Sequence, residues 1–155
     1  MDPGNPPPAG QPLLPRGKRQ ARGRQGEEAA QRFLEAQGFR IVDVNIRLPR
    51  AYETPGELDI VAWERQTLCF IEVKTRYGAA GDVTPAEAVT PAKQRQIARL
   101  ANAYLAHSGL LNDASDLSCR FDVVSVWLKR SAAPDTPETV SRIELVREAF
   151  IALSE

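Results

Sequence analysis

Apolar residues recur along the chain with two different periods, and the changes of period mark the elements. From Gly26 to Gln37 the apolar positions Ala29, Ala30, Phe33 and Leu34 oppose a polar set of Glu28, Gln31, Arg32 and Glu35. This predicts an amphipathic helix stopped by Gly38. Glu27 belongs to neither set: it sits on the shoulder of the apolar stripe, about one turn before Ala30, so its carboxylate is expected to lean toward the protein. Phe39 to Arg47 reads as a strand with Phe39, Ile41, Val44 and Ile46 facing cores. Glu57–Trp63 and Leu68–Thr75 alternate as two strands joined by Glu64-Arg65-Gln66-Thr67, a hairpin signal. Thr90-Pro91 supplies an N-cap and a first helical proline for a long helix to His107, with Ile97, Leu100, Ala101, Tyr104 and Leu105 inward and Gly109 at its end. Arg120 to Leu128 is apolar on both faces except at Asp122 and Ser125, the pattern of a central strand. Val140 to Val146 alternates as another strand, and Glu148 to Leu153 reads as a terminal helical turn. Leu48–Pro55, Arg76–Val89 and Lys129–Thr139 read as loops. The order α-β-β-β-α-β-β predicts an α/β fold, one mixed sheet flanked by helices.

Side chains alternate faces along a strand, so the hairpin can be resolved further. Two-residue and four-residue loops give the same register, with Trp63 opposite Leu68, Val61 opposite Phe70, Asp59 opposite Glu72 and Glu57 opposite Lys74. One face is then apolar near the turn and charged at the far end. The other, carrying Leu58, Ile60, Ala62, Cys69, Ile71 and Val73, is apolar throughout. A solvated face would be polar along its whole length, and facing carboxylates repel unless a cation lies between them. Asp59 and Glu72, with a backbone carbonyl and waters, offer the oxygen donors that suit Mg²⁺ or Mn²⁺. Such an ion activates water and polarises a phosphoryl oxygen, and Lys74 beside it can stabilise developing negative charge. The expected chemistry is phosphodiester hydrolysis, with Glu27 completing an acidic cluster.

Composition adds limits. The chain has 155 residues, 43% of them hydrophobic, and a formal net charge of zero. That is one domain, expected over 24–155, after a Pro/Gly-rich tail over 1–23 that ends in the basic run Arg16, Lys18, Arg19, Arg22 and Arg24. Cys69 and Cys119 each lie in an apolar run without a CxxC pattern, which predicts two buried reduced thiols and a reducing compartment. A single histidine, His107, and no ligand cluster speak against zinc. No apolar run reaches the roughly 18 residues of a membrane span, and the N-terminus lacks the apolar stretch of a signal peptide. The expectation is a cytoplasmic protein with no membrane partner.

Asp59 followed by Glu72-Val73-Lys74 resembles the motif of the PD-(D/E)XK nuclease superfamily. The surroundings make the match specific. Gly23-Arg24-Gln25-Gly26-Glu27, Phe33-Leu34, Gly38-Phe39, Asn45-x-Arg47 and Gly56-Glu57-Leu58-Asp59-Ile60 resemble, in order, the YraN family, taken to be endonucleases. Phe70 through Arg76, Ala88-Val89-Thr90-Pro91-x-Lys93, Tyr104-Leu105 and Arg120-Phe121-Asp122-Val123 continue the likeness, which runs from about residue 22 to 128. Leu48–Pro55 is longer than the connection expected there, and the tail lies outside the pattern. The resemblance implies a restriction-endonuclease-like core. It also implies similarity to archaeal Holliday-junction resolvases, whose helix Glu, strand Asp and Glu-x-Lys correspond to Glu27, Asp59, Glu72 and Lys74. By that analogy the substrate is DNA, including branched or repair intermediates, and a homodimer is expected.

Other charged and aromatic residues have blander expected roles. Arg24, Arg76 and Lys93 are the candidates for phosphate contact, Lys93 because a helix N-terminus also favours anions. Arg95 and Arg99 read as solvated, Asp122 as a buried structural carboxylate, His107 as a helix-dipole partner, and Trp63 and Trp127 as core. Two nucleic-acid functions compete, with a structural scaffold as a third reading: a metal-dependent endonuclease, and a nucleic-acid-binding module of the same fold with little activity that serves a DNA-processing partner. The near-neutral charge argues slightly against both, since strong binders usually carry a basic stripe.

Overall fold

The computed structural model describes residues 18–78, 89–110, 117–133 and 135–151, with side chains from residue 23 onward. Residues 1–17 of the tail expected over 1–23, and most of the loop expected over Arg76–Val89, lie outside these residues. The elements are α1 (Lys18–Ala36), β1 (Arg40–Ile46), a 3-10 turn (Arg50–Tyr52), β2 (Leu58–Glu64), β3 (Thr67–Tyr77), α2 (Pro91–Ser108), β4 (Ser118–Lys129) and β5 (Thr139–Phe150). They form one five-stranded sheet in the order β1-β2-β3-β4-β5. All neighbours are antiparallel except β3 and β4, which run parallel with α2 as their crossover. The predicted α/β class and element order hold.

Each face of the sheet carries one helix. Ala29, Ala30 and Leu34 of α1 pack on Ile60, Ala62, Cys69, Ile71, Val124 and Val126. Ile97, Leu100, Ala101, Tyr104 and Leu105 of α2 pack on Val61, Leu68, Phe70 and Val123. The inward residues of α2 are those its period gave. Its N-cap is Thr90, whose hydroxyl accepts the Lys93 N–H at 3.2 Å, and Gly109 is its C-cap. The hairpin register is also as read: Trp63 pairs with Leu68 and Val61 with Phe70.

Several expectations need correction. Helix α1 begins at Lys18, eight residues before Gly26, because Lys, Arg, Gln and Ala are good helix formers even without an apolar stripe. Residues Glu148–Phe150 are strand, not helix. Glu148 sits at φ 52° beside a register shift and gives its N–H to Asp122 Oδ1 at 2.9 Å, so a tertiary bond overrides local propensity. Cys69 is buried as expected, but Cys119 is exposed. The ladder between β4 and β5 starts only at Phe121, which leaves the first residues of β4 uncovered on that side.

Alternation also fails at one place in β2. Val44 and Ile60, a pair in the ladder between β1 and β2, pack on the α1 side, whereas the next pair, Ile46 and Leu58, pack on the α2 side. Both strands therefore switch faces at the intervening Asn45 and Asp59. Asn45 has a left-handed backbone, φ 50°, which an asparagine adopts more readily than most residues. Upstream, a bulge at Val42 lets Ile41 and Val44 share the α1 side.

The turn end of the hairpin is held by charge. Arg120 donates to both Asp122 oxygens, at 2.8 and 2.9 Å, and to Glu64 Oε1 at 2.9 Å. Arg147 donates to both Glu64 oxygens and lies over the Phe39 ring. The fully buried Asp122 is thus the structural carboxylate its sequence context suggested. Trp127 is buried, and Trp63 packs half-buried against the core on the α2 side. His107 does not merely face the helix dipole: its Nδ1 lies 3.4 Å from the Tyr52 hydroxyl, and the rings meet edge to face.

Candidate active site at the open end of the hairpin

The site lies where the ladder between β2 and β3 gives out. The last backbone pair is Ile60 with Ile71. One step further the register sets Asp59 across from Glu72, and here Asp59 Oδ2 accepts the Val73 N–H at 2.9 Å. A side chain replaces the carbonyl that a regular strand would supply. The Asp59 carboxyl is thereby fixed against the strand that carries Glu72. Burial first, then the Glu72 charge, push Asp59 well above the usual carboxylate range, and a hydrogen bond between the two carboxyls adds to this. Glu72 is itself buried, at 6% exposure.

Two ammonium groups balance Glu72. Lys74 Nζ lies 3.5 Å and Lys93 Nζ 3.8 Å from its Oε1. Lys74 was expected there. Lys93, expected as a phosphate contact at the N-terminus of α2, is half-buried and lies against Glu72.

Glu27 joins the cluster from α1. Helix α1 can approach β3 closely because Gly26 has no side chain: a Cβ there would collide with Thr75 Oγ1. The next residue, Glu27, is thus carried to the edge of the acidic pair. Its carboxyl is pushed up to about 7, by burial first and then by the charge of Glu57, with Glu72 adding to the effect. Asn45 opposes the shift. In the amide orientation that satisfies both ends, its side-chain nitrogen lies 2.7 Å from Glu27 Oε2 and 3.2 Å from Glu57 Oε1. Sequence reading placed Asn45 in the Asn45-x-Arg47 motif of the family likeness but gave it no chemical role; its position opposite Asp59 is visible only once the strand between Phe39 and Arg47 is paired.

The remaining expected residues divide. Glu57, expected opposite Lys74, instead meets Arg47 Nε at 3.3 Å, because the strands have already switched faces. Arg24 is exposed on α1, and its charge lowers the Glu27 pKa slightly. Arg76 lies two residues past Lys74, and its Nε is buried without a hydrogen-bond partner among the described residues.

The donor set is all oxygen: two adjacent carboxyls whose mutual repulsion a cation would relieve. This fits a hard divalent ion. Among the described residues no three Asp, Glu, His or Cys side chains form a ready-made metal cage. An ion would therefore rest on Asp59 and Glu72 and keep several waters.

A mixed five-stranded sheet with a helix on each face and a carboxyl pair at a splayed hairpin end defines an α/β protein with a polar, chemically loaded edge. The chain belongs to the family described as Uncharacterised protein family UPF0102, whose model matches residues 26–126. That span takes in Glu27, Asn45, Asp59, Glu72, Lys74 and Lys93. The chain is 43% identical over 130 residues to a UPF0102 protein of Symbiobacterium thermophilum, covering 84% of this chain and 96% of that protein. It is 45% identical over 133 residues to a UPF0102 protein of Desulforapulum autotrophicum, covering 86% and 95%. A UPF0102 protein of Chlorobaculum parvum is 43% identical over 133 residues, covering 86% and 94%. The YraN likeness drawn from the motif string is this family. No helix among the described residues is long and apolar enough to cross a membrane.

Proposed function

We propose that the protein is a metal-dependent endonuclease that hydrolyses phosphodiester bonds in DNA, branched or repair intermediates included. The observation that carries this reading is the Asp59–Glu72 pair. It is desolvated, repulsive and flanked by two lysines, at the one place where the hairpin ladder opens. Asp59 and Glu72 would hold Mg²⁺ or Mn²⁺, which supplies Lewis acidity toward a phosphoryl oxygen and toward water. The Val73 N–H fixes Asp59, so the acidic pair is oriented before substrate arrives. Lys74 sits within reach of water and of a phosphoryl oxygen at the pair, where it stabilises the charge that develops as the bond breaks. Glu27, with a pKa near 7, can move a proton at neutral pH. Lys93 neutralises Glu72 from the other side and favours an incoming phosphate.

One observation favours a second reading. Both lysines already balance Glu72, as they would in a nucleic-acid-binding module that needs no ion. An assay separates the two: branched, flapped, linear and single-stranded DNA with Mg²⁺ or Mn²⁺, comparing wild type with Asp59→Ala and Lys74→Ala. The nuclease reading expects metal-dependent cleavage that both substitutions remove. Wild type no more active than the variants would sink it, and salt-dependent binding without cleavage would establish the module.

A further inference from the structure

Asn45, Arg47 and Glu57 stand beside the acidic pair without a part in the chemistry above. Together with Glu27 they form a chain of polar contacts. Arg47 Nε lies 3.3 Å from Glu57 Oε2. The Asn45 amide nitrogen, in the orientation that satisfies both ends, lies 3.2 Å from Glu57 Oε1 and 2.7 Å from Glu27 Oε2. Glu57 is therefore held at both oxygens and Glu27 at one. Among the described residues nothing bonds the other Glu27 oxygen, Oε1. The backbone at Glu27 is fixed as well, because Gly26 packs on Thr75 with no room for a Cβ.

The backbone at position 45 does not by itself call for an amide. Asn45 stands opposite Asp59, between the pairs Val44–Ile60 and Ile46–Leu58, with φ 50°. Glycine, aspartate and asparagine all tolerate that conformation. Glycine would leave the carboxyls of Glu27 and Glu57 facing each other with no donor between them. Aspartate would add a further negative charge there. Asparagine supplies two hydrogens on one nitrogen, one for each carboxyl. The carboxyl so held is coupled to the site: it feels the charge of Glu72, and Asp59 feels its charge in turn. A carboxyl group that accepts an N–H at one oxygen carries any proton on the other.

We propose that Asn45 is a positioning residue for Glu27, an inference that rests on the nuclease reading above: its amide commits Oε2 to β1 and leaves Oε1 as the oxygen through which Glu27 moves its proton. That proton passes between Oε1 and a water at the acidic pair, and no other bond at Glu27 changes. Arg47 steadies the arrangement from behind, since it anchors the Glu57 carboxylate that takes the second amide hydrogen.

The test uses the full chain, an oligonucleotide it cleaves, and substitutions that accept the left-handed backbone. Asn45→Gly and Asn45→Asp should each lower kcat about 10- to 30-fold with KM within about twofold. Glu27→Gln should lower kcat by about 10²-fold. Adding Asn45→Gly to Glu27→Gln should cost no more than about a further twofold, because the two act as one unit. Aspartate keeps the shape of asparagine, so a role in shape alone would spare Asn45→Asp. The positioning inference fails alone if wild type cleaves and either variant at 45 keeps its kcat, or if the losses of Asn45→Gly and Glu27→Gln multiply. A second measurement needs no cleavage, and it also decides the case if the variants at 45 do not fold. In metal-free protein Glu27→Gln should shift one of the two side-chain N–H signals of Asn45 in a nuclear magnetic resonance spectrum, and Glu57→Gln the other. If Glu27→Gln leaves both signals in place, Asn45 does not hold Glu27 and the inference falls. If wild type does not cut, the nuclease reading falls and the signals alone decide: a response to Glu27→Gln upholds Asn45 as the residue that holds Glu27, and its absence overturns that too.

Discussion

The hairpin β2–β3 carries a charged cluster at each end, and the two are built from the same residue types to opposite effect. At the turn, Glu64 and Asp122 face Arg120 and Arg147, two acids against two bases, with almost every oxygen satisfied. Glu64 is held down at about 2, chiefly by its hydrogen bonds from Arg147. At the open end, Glu27, Glu57, Asp59 and Glu72 meet Arg24, Arg47, Lys74 and Lys93, yet carboxyl faces carboxyl. There Glu27 and Asp59 are pushed up rather than down. The difference teaches that charge on a strand does not by itself mark function. A cluster closed by arginine forks is a lock, whereas one whose desolvated carboxyls face each other is prepared for a cation from outside.

The contrast can be broken most forcefully at the lock. Asp122→Ala removes a fully buried carboxylate, leaves the half-buried Arg120 guanidinium without its bidentate partner and the Glu148 N–H without its acceptor, and should cost about 3–5 kcal/mol, read by denaturant unfolding. At the open end the signs reverse. Asp59→Asn keeps an acceptor for the Val73 N–H and removes a repulsive charge, so stability should hold or rise. Cleavage should nonetheless drop by about 10²–10³-fold, and a melt and an activity assay on one preparation would check both. A loss of stability as large as that of Asp122→Ala would show that Asp59 is structural. Mg²⁺ or Mn²⁺ at about a hundred times its dissociation constant should stabilise wild type by about 2.7 kcal/mol, and Asp59→Asn should lose most of that gain.

The smallest effects lie in the pH dependence, and they have opposite signs. Glu64, lowered from an ordinary 4.5 to about 2, contributes stability that is present above 4.5 and lost as pH falls through 2. Glu27, raised from 4.5 to about 7, contributes stability that is present below 4.5 and lost as pH rises through 7. In metal-free protein Glu64→Gln should flatten the acid limb of a stability profile, and Glu27→Gln the limb from 4.5 to 7. Parallel profiles in all three proteins would contradict the contrast.

Much of this was legible in the sequence because the hairpin is short and its alternation holds from Ile60 to the turn. Trp63 against Leu68 and Val61 against Phe70 follow from a period of two and an even-numbered loop, and Asp59 and Glu72 follow from those. The inner face and both caps of α2 were equally plain, since Thr90, Pro91 and Gly109 act locally. What failed was what depends on distant partners. Leu58 changes sides because Asn45, on a different strand, takes a left-handed turn. Glu148–Phe150 extends as strand because its backbone meets Asp122. Lys93 lies against Glu72, a partner on another element. Asn45 itself carries no motif chemistry, and its bridge between Glu27 and Glu57 exists only when α1, β1 and β2 are assembled.

The Val73 amide has a further use. Its proton rests on Asp59 Oδ2 rather than on a strand carbonyl. Its nitrogen and proton resonances therefore report the charge on that carboxyl directly. A titration followed by nuclear magnetic resonance would move the Val73 cross-peak as Asp59 loses its proton, and move it again as a cation takes that proton's place. Occupancy of the acidic pair can in this way be read from one backbone signal, with no substrate in the tube.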